Sequence, residues 1–310
     1  MLYRRVWEMP TVCAVILTYN RCDLLIKCLD SIDRQTRPCD KIIVVDNAST
    51  DGTRDVLGQE WESRVTVVAL KENVGAAGGF NIGMRCAYRT GSEFVWVMDD
   101  DVFTEPDTLE RLLAGDTRLK AHGIQAPFLV SNALSPTGLS TNTPDIDLRP
   151  NSLAYGAWPV FLRYSLVPVW RSTFVSILLP RSTLSRFGLP IADMFMWGED
   201  MEYTTRITEE SPGYLVGDSH VVHVRVLAGA PNIETESDAR RISCFYHHKR
   251  NQMYMFRRFK KGSPVRHFAH QIRLALKLAG TGRFRKAALV AAGTLHGLVF
   301  DPRIESADEI

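Results

Sequence analysis

The sequence predicts an α/β fold built on a doubly wound, mainly parallel sheet, with a basic helical region after it. Three observations carry this expectation. Short, continuous apolar runs recur through the first hundred residues and alternate with segments whose apolar side chains fall at helical spacing. Each run ends in a polar turn that leads into a helical segment, as in parallel strand-helix-strand units. From residue 242 onward the pattern becomes helical and strongly basic.

Residues 12–17 (VCAVIL) read as a strand covered on both faces. The turn Thr18-Tyr19-Asn20-Arg21 follows, and residues 23–35 then place Leu24, Leu25, Cys28, Leu29 and Ile32 at helical spacing. Residues 42–45 form a second strand that runs into Asp46 and a stretch of turn and helix-cap residues. Residues 65–70 form a third strand. The glycine-rich stretch 73–83 leads into a helix, and residues 94–98 (FVWVM) form a fourth strand that enters Asp99-Asp100-Asp101. Sheets of this kind bind ligands at the carboxyl ends of their strands, where Thr18, Asp46, Asn73 and Asp99 all fall. Residues 130–171 lack periodicity and are rich in Ser, Thr, Asn and Pro, so they read as loops over the site. Residues 174–180 return as a strand, and 182–187 form a helix stopped by Gly188 and Pro190. The expected division is a catalytic domain over 1–240 and a basic helical region over 241–310.

With 310 residues, 45% of them hydrophobic and 23% charged, the chain can bury a large core without staples. Its six cysteines are scattered with no C-x-x-C pair, which argues against a disulfide framework or structural zinc and favours a reducing cytoplasm. The most apolar stretch, 287–300, is too short to span a bilayer and is broken by Thr294, His296 and Gly297. The apolar run after Pro10 is too short for a secretory signal. The net charge of +2 conceals an asymmetry: residues 241–300 carry 13 Lys and Arg and no Asp or Glu, which leaves 24 bases against 35 acids elsewhere. Such a split points to an anionic partner for the C-terminal region.

Asp99-Asp100-Asp101 is the strongest chemical signal. Adjacent carboxylates repel, and alternate ones can turn to the same side, so Asp99 and Asp101 suit a hard divalent ion; the alternative is a solvated acidic turn. An EF-hand loop is excluded, since Phe103 and Thr104 occupy the positions of a ligand and the required glycine. The glycines of 73–83 permit close approach to a phosphate and equally permit tight helix-on-sheet packing. Trp197-Gly198-Glu199-Asp200 sets two carboxylates beside an indole, which suits either a general base or helix capping. His220 and His223 lie on an apolar, strand-like stretch as core residues or ligands.

Taken together, VILTYNR, VVDNASTDGT, ENVGAAGGFNIG, VWVMDDDV, FMWGEDMEYTTR and a trailing His resemble the inverting GT-A glycosyltransferases of family 2. The AGGF and WGED blocks resemble its galactofuranosyl- and rhamnosyltransferase branch, as does the aromatic-x-x-x-R-N segment ending in Arg250 and Asn251. The resemblance covers residues 10–260 in the family's order. It implies a GT-A fold, Rossmann-like in its sheet, with Thr18, Tyr19 and Asp46 at the nucleotide base. It also implies Asn73, Gly75, Gly78 and Gly79 at the diphosphate and sugar, with Asp99 and Asp100 counted among the donor-binding residues. Asp99 and Asp101 match the metal-binding D-x-D, for Mn²⁺ or Mg²⁺, with His223 as third ligand. Asp200 matches the catalytic base, and Trp197 and Glu199 fall to the acceptor side; the family often has Asp where Glu199 stands.

The expected function is metal-dependent, inverting transfer of a sugar from a nucleotide sugar to a glycan hydroxyl. UDP-galactofuranose is the first donor expected and dTDP-rhamnose the second. A catalytically silent nucleotide-sugar-binding or lectin-like module is the alternative, and a nicotinamide enzyme is disfavoured because no glycine follows the first strand. In a helix over 265–279, Arg266, His270, Arg273 and Lys277 form one stripe, and Phe268, Ile272, Ala275 and Ala279 lie opposite. That arrangement suits an enzyme working in the cytoplasm at the inner face of a membrane, on an acceptor such as a polyprenyl-diphosphate-linked glycan. No fold signature for nucleic acid accompanies the charge.

Overall fold

The structure, a computed structural model, describes residues 9–224, 231–259 and 262–309. The first half follows the expected alternation: β1 (Val12–Thr18), α1 (Cys22–Asp33), β2 (Lys41–Asp46), α2 (Thr53–Glu60), β3 (Thr66–Ala69), α3 (Gly75–Arg89) and β4 (Phe94–Asp99). These strands lie in the order β3-β2-β1-β4, all parallel. The unbroken apolar run of β1 is explained by its two covered faces. Val12, Ala14 and Ile16 pack with Leu25, Leu29 and Ile32 of α1, whereas Cys13, Val15 and Leu17 pack with Phe80 and Met84 of α3.

The chain continues through β5 (Val102–Thr104), α4 (Thr108–Ala121), β6 (Leu129–Leu134), β7 (Asp145–Ile146), β8 (Leu166–Arg171), β9 (Ile177–Pro180), α5 (Arg181–Phe187), α6 (Glu199–Ile207) and β10 (Gly213–His223). Beyond β4 the sheet runs β9-β6-β10-β8-β7, with antiparallel pairings at β4–β9, β9–β6, β10–β8 and β8–β7. Residues 130–171 are therefore not simply loops over the site. They supply β6, β7 and β8, which extend the sheet, because antiparallel pairing stabilises short strands that show no hydrophobic periodicity of their own. The sheet as a whole is mixed, with its parallel half carrying the strand ends expected to bind ligand.

Three helices follow: α7 (Ala239–Arg258), α8 (Pro264–Gly280) and α9 (Phe284–Gly297). They share a small core of Phe245, Ala275, Leu278 and Val290. Gly293 and Gly297 let α9 lie directly on the backbone of α7 at Tyr246 and Arg250. On α8, Arg266, His270, Arg273 and Lys277 are exposed, whereas Ala275 is buried and Phe268, Ile272 and Ala279 are half-buried. The chain then returns to α3, where Ala307 is buried, Tyr88 donates to Asp308 at 2.8 Å and Arg85 pairs with Glu305. Lys260 and Lys261, two of the thirteen basic residues, lie outside the described residues. Among the described residues no helix is long and apolar enough to cross a membrane.

A candidate glycosyl-transfer site at the strand ends

Register places the predicted residues side by side. Thr18 is paired with Asp46, and Leu17 with Asp99, so the carboxyl ends of β2, β1 and β4 form one edge. Asp46 is fully buried, accepts from the Ser49 amide at 2.8 Å and pairs with Arg54. Tyr19 is 42% exposed at the same edge, while the Thr18 hydroxyl donates to Asp100 at 2.7 Å. Asn47 and Asn73 lock the neighbouring loop. The Asn47 amide donates to Asn73 Oδ1 at 3.2 Å and to the Gly75 carbonyl at 3.0 Å, and the Val74 amide donates back to Asn47 at 2.9 Å.

The glycines after Asn73 divide by role. Side chains of Val74 and Leu17 occupy the space a Cβ would need at Gly78 and Gly79, so these two serve close packing within α3 and onto β1. Gly75, with φ +76°, instead abuts the backbone of Phe195, which ties this loop to the turn before α6.

Asp99, Asp101 and His223 converge, with one ligand atom from each within 4.8 Å of the others. The separation of 122 positions between Asp101 and His223 is bridged by the sheet, because Val102 of β5 pairs with His223 of β10 and the Val224 amide donates to the Asp101 carbonyl at 2.9 Å. His223 Nδ1 faces Asn142 Oδ1 at 3.0 Å. The tautomer with its proton on Nδ1 leaves an Nε2 lone pair 3.1 Å from Asp101 Oδ1. That separation lacks the alignment of a hydrogen bond, and Asp101 Oδ1 has no hydrogen-bond partner among the described residues. Two electron-rich atoms so placed call for a cation between them. With an O,O,N donor set and a histidine oriented through its other nitrogen, the residues fit Mn²⁺ or Mg²⁺.

Electrostatics support a cation at this edge. Burial, reinforced by Asp101 and Asp100, pushes Asp99 well above the usual carboxylate range. Burial also pushes Asp100 up to about 6, although Arg21 and Thr18 oppose it. Asp101 is held below its ordinary value against the effect of burial, with the nearby Arg21 guanidinium among the causes. Arg21 lies 3.1 Å from Asp100 and 2.9 Å from Asp101 and is the nearest fixed counter-charge. The sequence reading treated Arg21 as part of a turn; the only clue to its role was its place after the first strand. Asn142 gave no clue at all, since it lies in a stretch without periodicity.

The second half of the site is the start of α6. Its N-cap is Gly198, with no side-chain cap, so Asp200 is not a capping residue. Asp200 accepts from the Met201 amide at 2.7 Å, and burial pushes it up to about 6. Glu199 is 6% exposed, its Oε2 has no partner among the described residues, and burial plus the charge of Asp200 pushes it well up. The charge of Asp200 acts on Asp99, so the start of α6 lies close to the end of β4. The Trp197 indole turns toward α7, edge-on to Phe245 at 5.1 Å and to His248 at 5.6 Å. His220 takes no part in the cluster; its carbonyl accepts from Thr108 at 2.6 Å.

An uncommon backbone path leads into α6. Phe195 (φ +61°, ψ −61°) forms a γ-turn of the strained hand, closed by the Met196 amide donating to the Met194 carbonyl at 2.7 Å. Trp197 and Gly198 follow with φ +60° and +118°. Asn251 of α7 holds this path: fully buried, its amide donates to Met194, Met196 and Trp197 carbonyls at 2.9, 3.2 and 3.1 Å. Arg250 donates to the Asp193 carbonyl at 2.6 Å and to Asn251 Oδ1. The aromatic-x-x-x-R-N segment is thus part of the site's support.

The fold is that of GT-A glycosyltransferases, with a cluster of Asp99, Asp101 and His223 that could hold a metal ion and Asp200 half-buried at the start of α6. Residues 13–136 match the family model Glycosyl transferase family 2. The chain is 33% identical over 208 residues to galactofuranosyltransferase GlfT1 of Mycobacterium tuberculosis, covering 64% of each chain. Against GlfT1 of Mycolicibacterium smegmatis it is 30% identical over 205 residues, covering 63% of this chain and 65% of the relative. It therefore spans under two thirds of the length of these curated relatives. A crystal structure of GalNAc-T7 with UDP, GalNAc and Mn²⁺ shares the fold at a TM-score of 0.55 and 15% identity, covering 80% of this chain and 50% of that one. S. aureus TarS does so at a TM-score of 0.52 and 15% identity, covering 89% and 54%.

Because three carbonyls of the strained turn depend on one amide, Asn251→Ala should cost about 2–4 kcal/mol in urea unfolding. At temperatures where the variant remains folded, turnover should fall more than donor affinity does, since the turn carries Glu199 and Asp200.

Proposed function

We propose that the protein is a metal-dependent, inverting glycosyltransferase that moves a sugar from a nucleotide sugar to a glycan hydroxyl. UDP-galactofuranose is the first donor to test, in keeping with the galactofuranosyltransferase relatives, and dTDP-rhamnose the second. The observation that carries the reading is the convergence of Asp99, Asp101 and His223, with the half-buried Asp200 near enough for its charge to act on Asp99.

The chain's residues account for each requirement of the reaction. Thr18, Tyr19 and Asp46 lie where the nucleotide base would rest, and Asn73 and Gly75 line the path to the sugar. A divalent ion held by Asp99, Asp101 and His223 would supply Lewis-acid stabilisation to the departing diphosphate. Arg21 anchors Asp100 and Asp101 and so holds the ligand edge in shape. Asp200, raised to about 6, is ionised at neutral pH yet basic enough to accept the acceptor's hydroxyl proton. A single base with no enzyme nucleophile makes one displacement, and one displacement inverts the anomeric centre.

The acceptor reading adds a membrane surface. Val265, Leu276 and Phe284 are 79%, 68% and 70% exposed, and Arg266 and Arg273 stand exposed among them with no acidic partner among the described residues. An amphipathic, basic face of this kind suits a polyprenyl-diphosphate-linked glycan at the inner face of a membrane.

Incubation with UDP-galactofuranose and Mn²⁺ should release UDP and extend a glycan acceptor with inversion, and Asp101→Ala should abolish this while leaving the fold intact. Full turnover by Asp101→Ala in excess EDTA would sink the metal assignment, and binding of donor with no turnover on any acceptor would leave a silent binding module.

Asp200→Asn should keep donor affinity and lose at least about 10² in turnover. Wild-type turnover should fall as pH drops below about 6, where Asp200 takes up its proton. A carboxyl raised in the fold favours the native state at low pH, and that contribution is lost as pH rises through about 6. Asp200→Asn should accordingly be the more stable protein at pH 7.5, by roughly 1–3 kcal/mol. A mild Asp200→Asn beside a crippling Glu199→Gln would move the base to Glu199.

Sedimentation with anionic vesicles should be salt-sensitive and weakened by charge reversal at Arg266 and Arg273. Equal binding to neutral vesicles would remove the electrostatic part of the membrane reading.

A further inference from the structure

Asn142 lies between β6 and β7 and is delivered to the site by the sheet. The Thr141 amide donates to the Ala133 carbonyl at 2.9 Å and Ser140 bridges Leu134, so the chain folds back along the end of β6. Leu134 of β6 stands opposite Val222 of β10, which sets Asn142 beside His223. The backbone at Asn142 is left-handed, with φ +47°, a conformation that Asn and Asp tolerate better than other residues with a Cβ.

The two ends of its carboxamide serve different partners. Oδ1 accepts from the Thr141 hydroxyl at 3.1 Å and faces His223 Nδ1 at 3.0 Å, which engages both lone pairs. Nδ2 donates to the Thr173 hydroxyl at 3.3 Å. The residues on either side of Thr173 are tied to the start of α6. The Thr204 hydroxyl accepts from the Ser172 amide at 3.1 Å and lies 2.9 Å from the Ser172 carbonyl. The backbone of Phe174 is hydrogen-bonded to the Asp200 carboxylate. The Phe174 ring is buried, edge-on to Phe80 of α3 at 5.2 Å and to Tyr203 of α6 at 5.8 Å. Thr173 is thus a fixed anchor, and one planar amide spans the gap from it to the imidazole of His223.

That span answers a requirement of the metal edge. An imidazole that ligates through Nε2 needs its proton kept on Nδ1 and its ring plane held, and an anchored acceptor at Nδ1 does both. Because the same amide is bonded to Thr173, the orientation of His223 and the segment next to Asp200 are set against one another.

We propose that Asn142 is a positioning residue that orients His223 for a divalent cation and couples it to the 172–174 segment beside Asp200. The proposal rests on the metal-dependent reading of the site for the cation that His223 would ligate.

The test uses the whole chain and Mn²⁺ alone, without donor. Asn142→Gly deletes the amide at a φ that glycine adopts without strain, and Asn142→Asp keeps an acceptor toward Nδ1. Free Mn²⁺, read by electron paramagnetic resonance, should show affinity weakened about 10–100-fold in Asn142→Gly and recovered to within about threefold of wild type in Asn142→Asp. Hydrogen exchange read by mass spectrometry tests the coupling. Mn²⁺ should slow exchange over 172–174 in the wild type, and it should fail to do so in Asn142→Gly and in Thr173→Val, which removes only the anchoring hydroxyl. Wild-type Mn²⁺ affinity in Asn142→Gly, beside a weakened His223→Ala, would overturn the orienting role while leaving the metal site in place. Slowing over 172–174 that persists in both Asn142→Gly and Thr173→Val would overturn the coupling. Unchanged Mn²⁺ affinity in His223→Ala would remove the metal reading itself, and the proposal with it.

Discussion

The constraint on which the site depends is the crowding of carboxylates at one edge of the sheet. Asp99, Asp100 and Asp101 follow one another at the end of β4, and Glu199 and Asp200 face them from α6. Carboxylates withdrawn from water cost stability through lost hydration, which raises Asp99, Glu199 and Asp200 above their ordinary values, and repulsion from neighbouring carboxylates adds to this at Asp99 and Glu199. The fold opposes this with fixed groups: Arg21 on Asp100 and Asp101, and the Thr18 hydroxyl on Asp100. The same arrangement that strains the folded chain concentrates affinity for a divalent cation. It also leaves one carboxylate basic enough to accept a proton near neutral pH.

That crowding has to be held mechanically, and the holding comes from outside the parallel sheet. The start of α6 is reached through Phe195, Trp197 and Gly198, all at positive φ, a path that a chain keeps only where its surroundings over-determine it. Those surroundings are α3 on one side, where the Ala77 amide donates to the Phe195 carbonyl at 3.1 Å, and Asn251 of α7 on the other. The C-terminal helices therefore do more than follow the catalytic part in sequence. One buried amide transmits their position to Glu199 and Asp200, so the packing of α9 on α7 through Gly293 and Gly297 bears indirectly on these two carboxylates.

Much of this was legible in the residues. Continuous apolar runs exposed the parallel strands because burial on both faces removes any alternation, and Asp99 and Asp101 stood out because carboxylates rarely cluster after a buried strand without a reason; His223 joined them only through the family resemblance. Residues 130–171 were not legible: β7 has two residues, β8 contains Pro168, and neither carries a pattern that would separate strand from loop. The glycines of α3 showed that close approach was needed without showing to what, and only the positions of Val74, Leu17 and Phe195 divide packing from site. Arg21, Asn142 and Asn251 could not be assigned from sequence, since each acts through a partner 54 or more residues away.

The basic C-terminal region shows how charge counting and structure diverge. Thirteen unopposed bases suggested a strong field reaching outward, yet the fold absorbs many of them. Lys277 pairs with Glu234 and Arg241 with Glu236, both from the segment just before α7. Arg283 and Lys286 donate to carbonyls of that same segment, and Arg257 donates to the carbonyl of Gly297 near the end of α9. Lys249 and Arg250 are buried, and burial pushes Lys249 down to about 8. The outward charge of α8 thus reduces to Arg266 and Arg273, beside exposed Val265 and Leu276. At about 1 kcal/mol per basic residue near an anionic surface, two arginines hold a protein there only in concert with apolar contact. A membrane-facing role for this region therefore depends as much on Val265, Leu276 and Phe284 as on the charge that first drew attention to it.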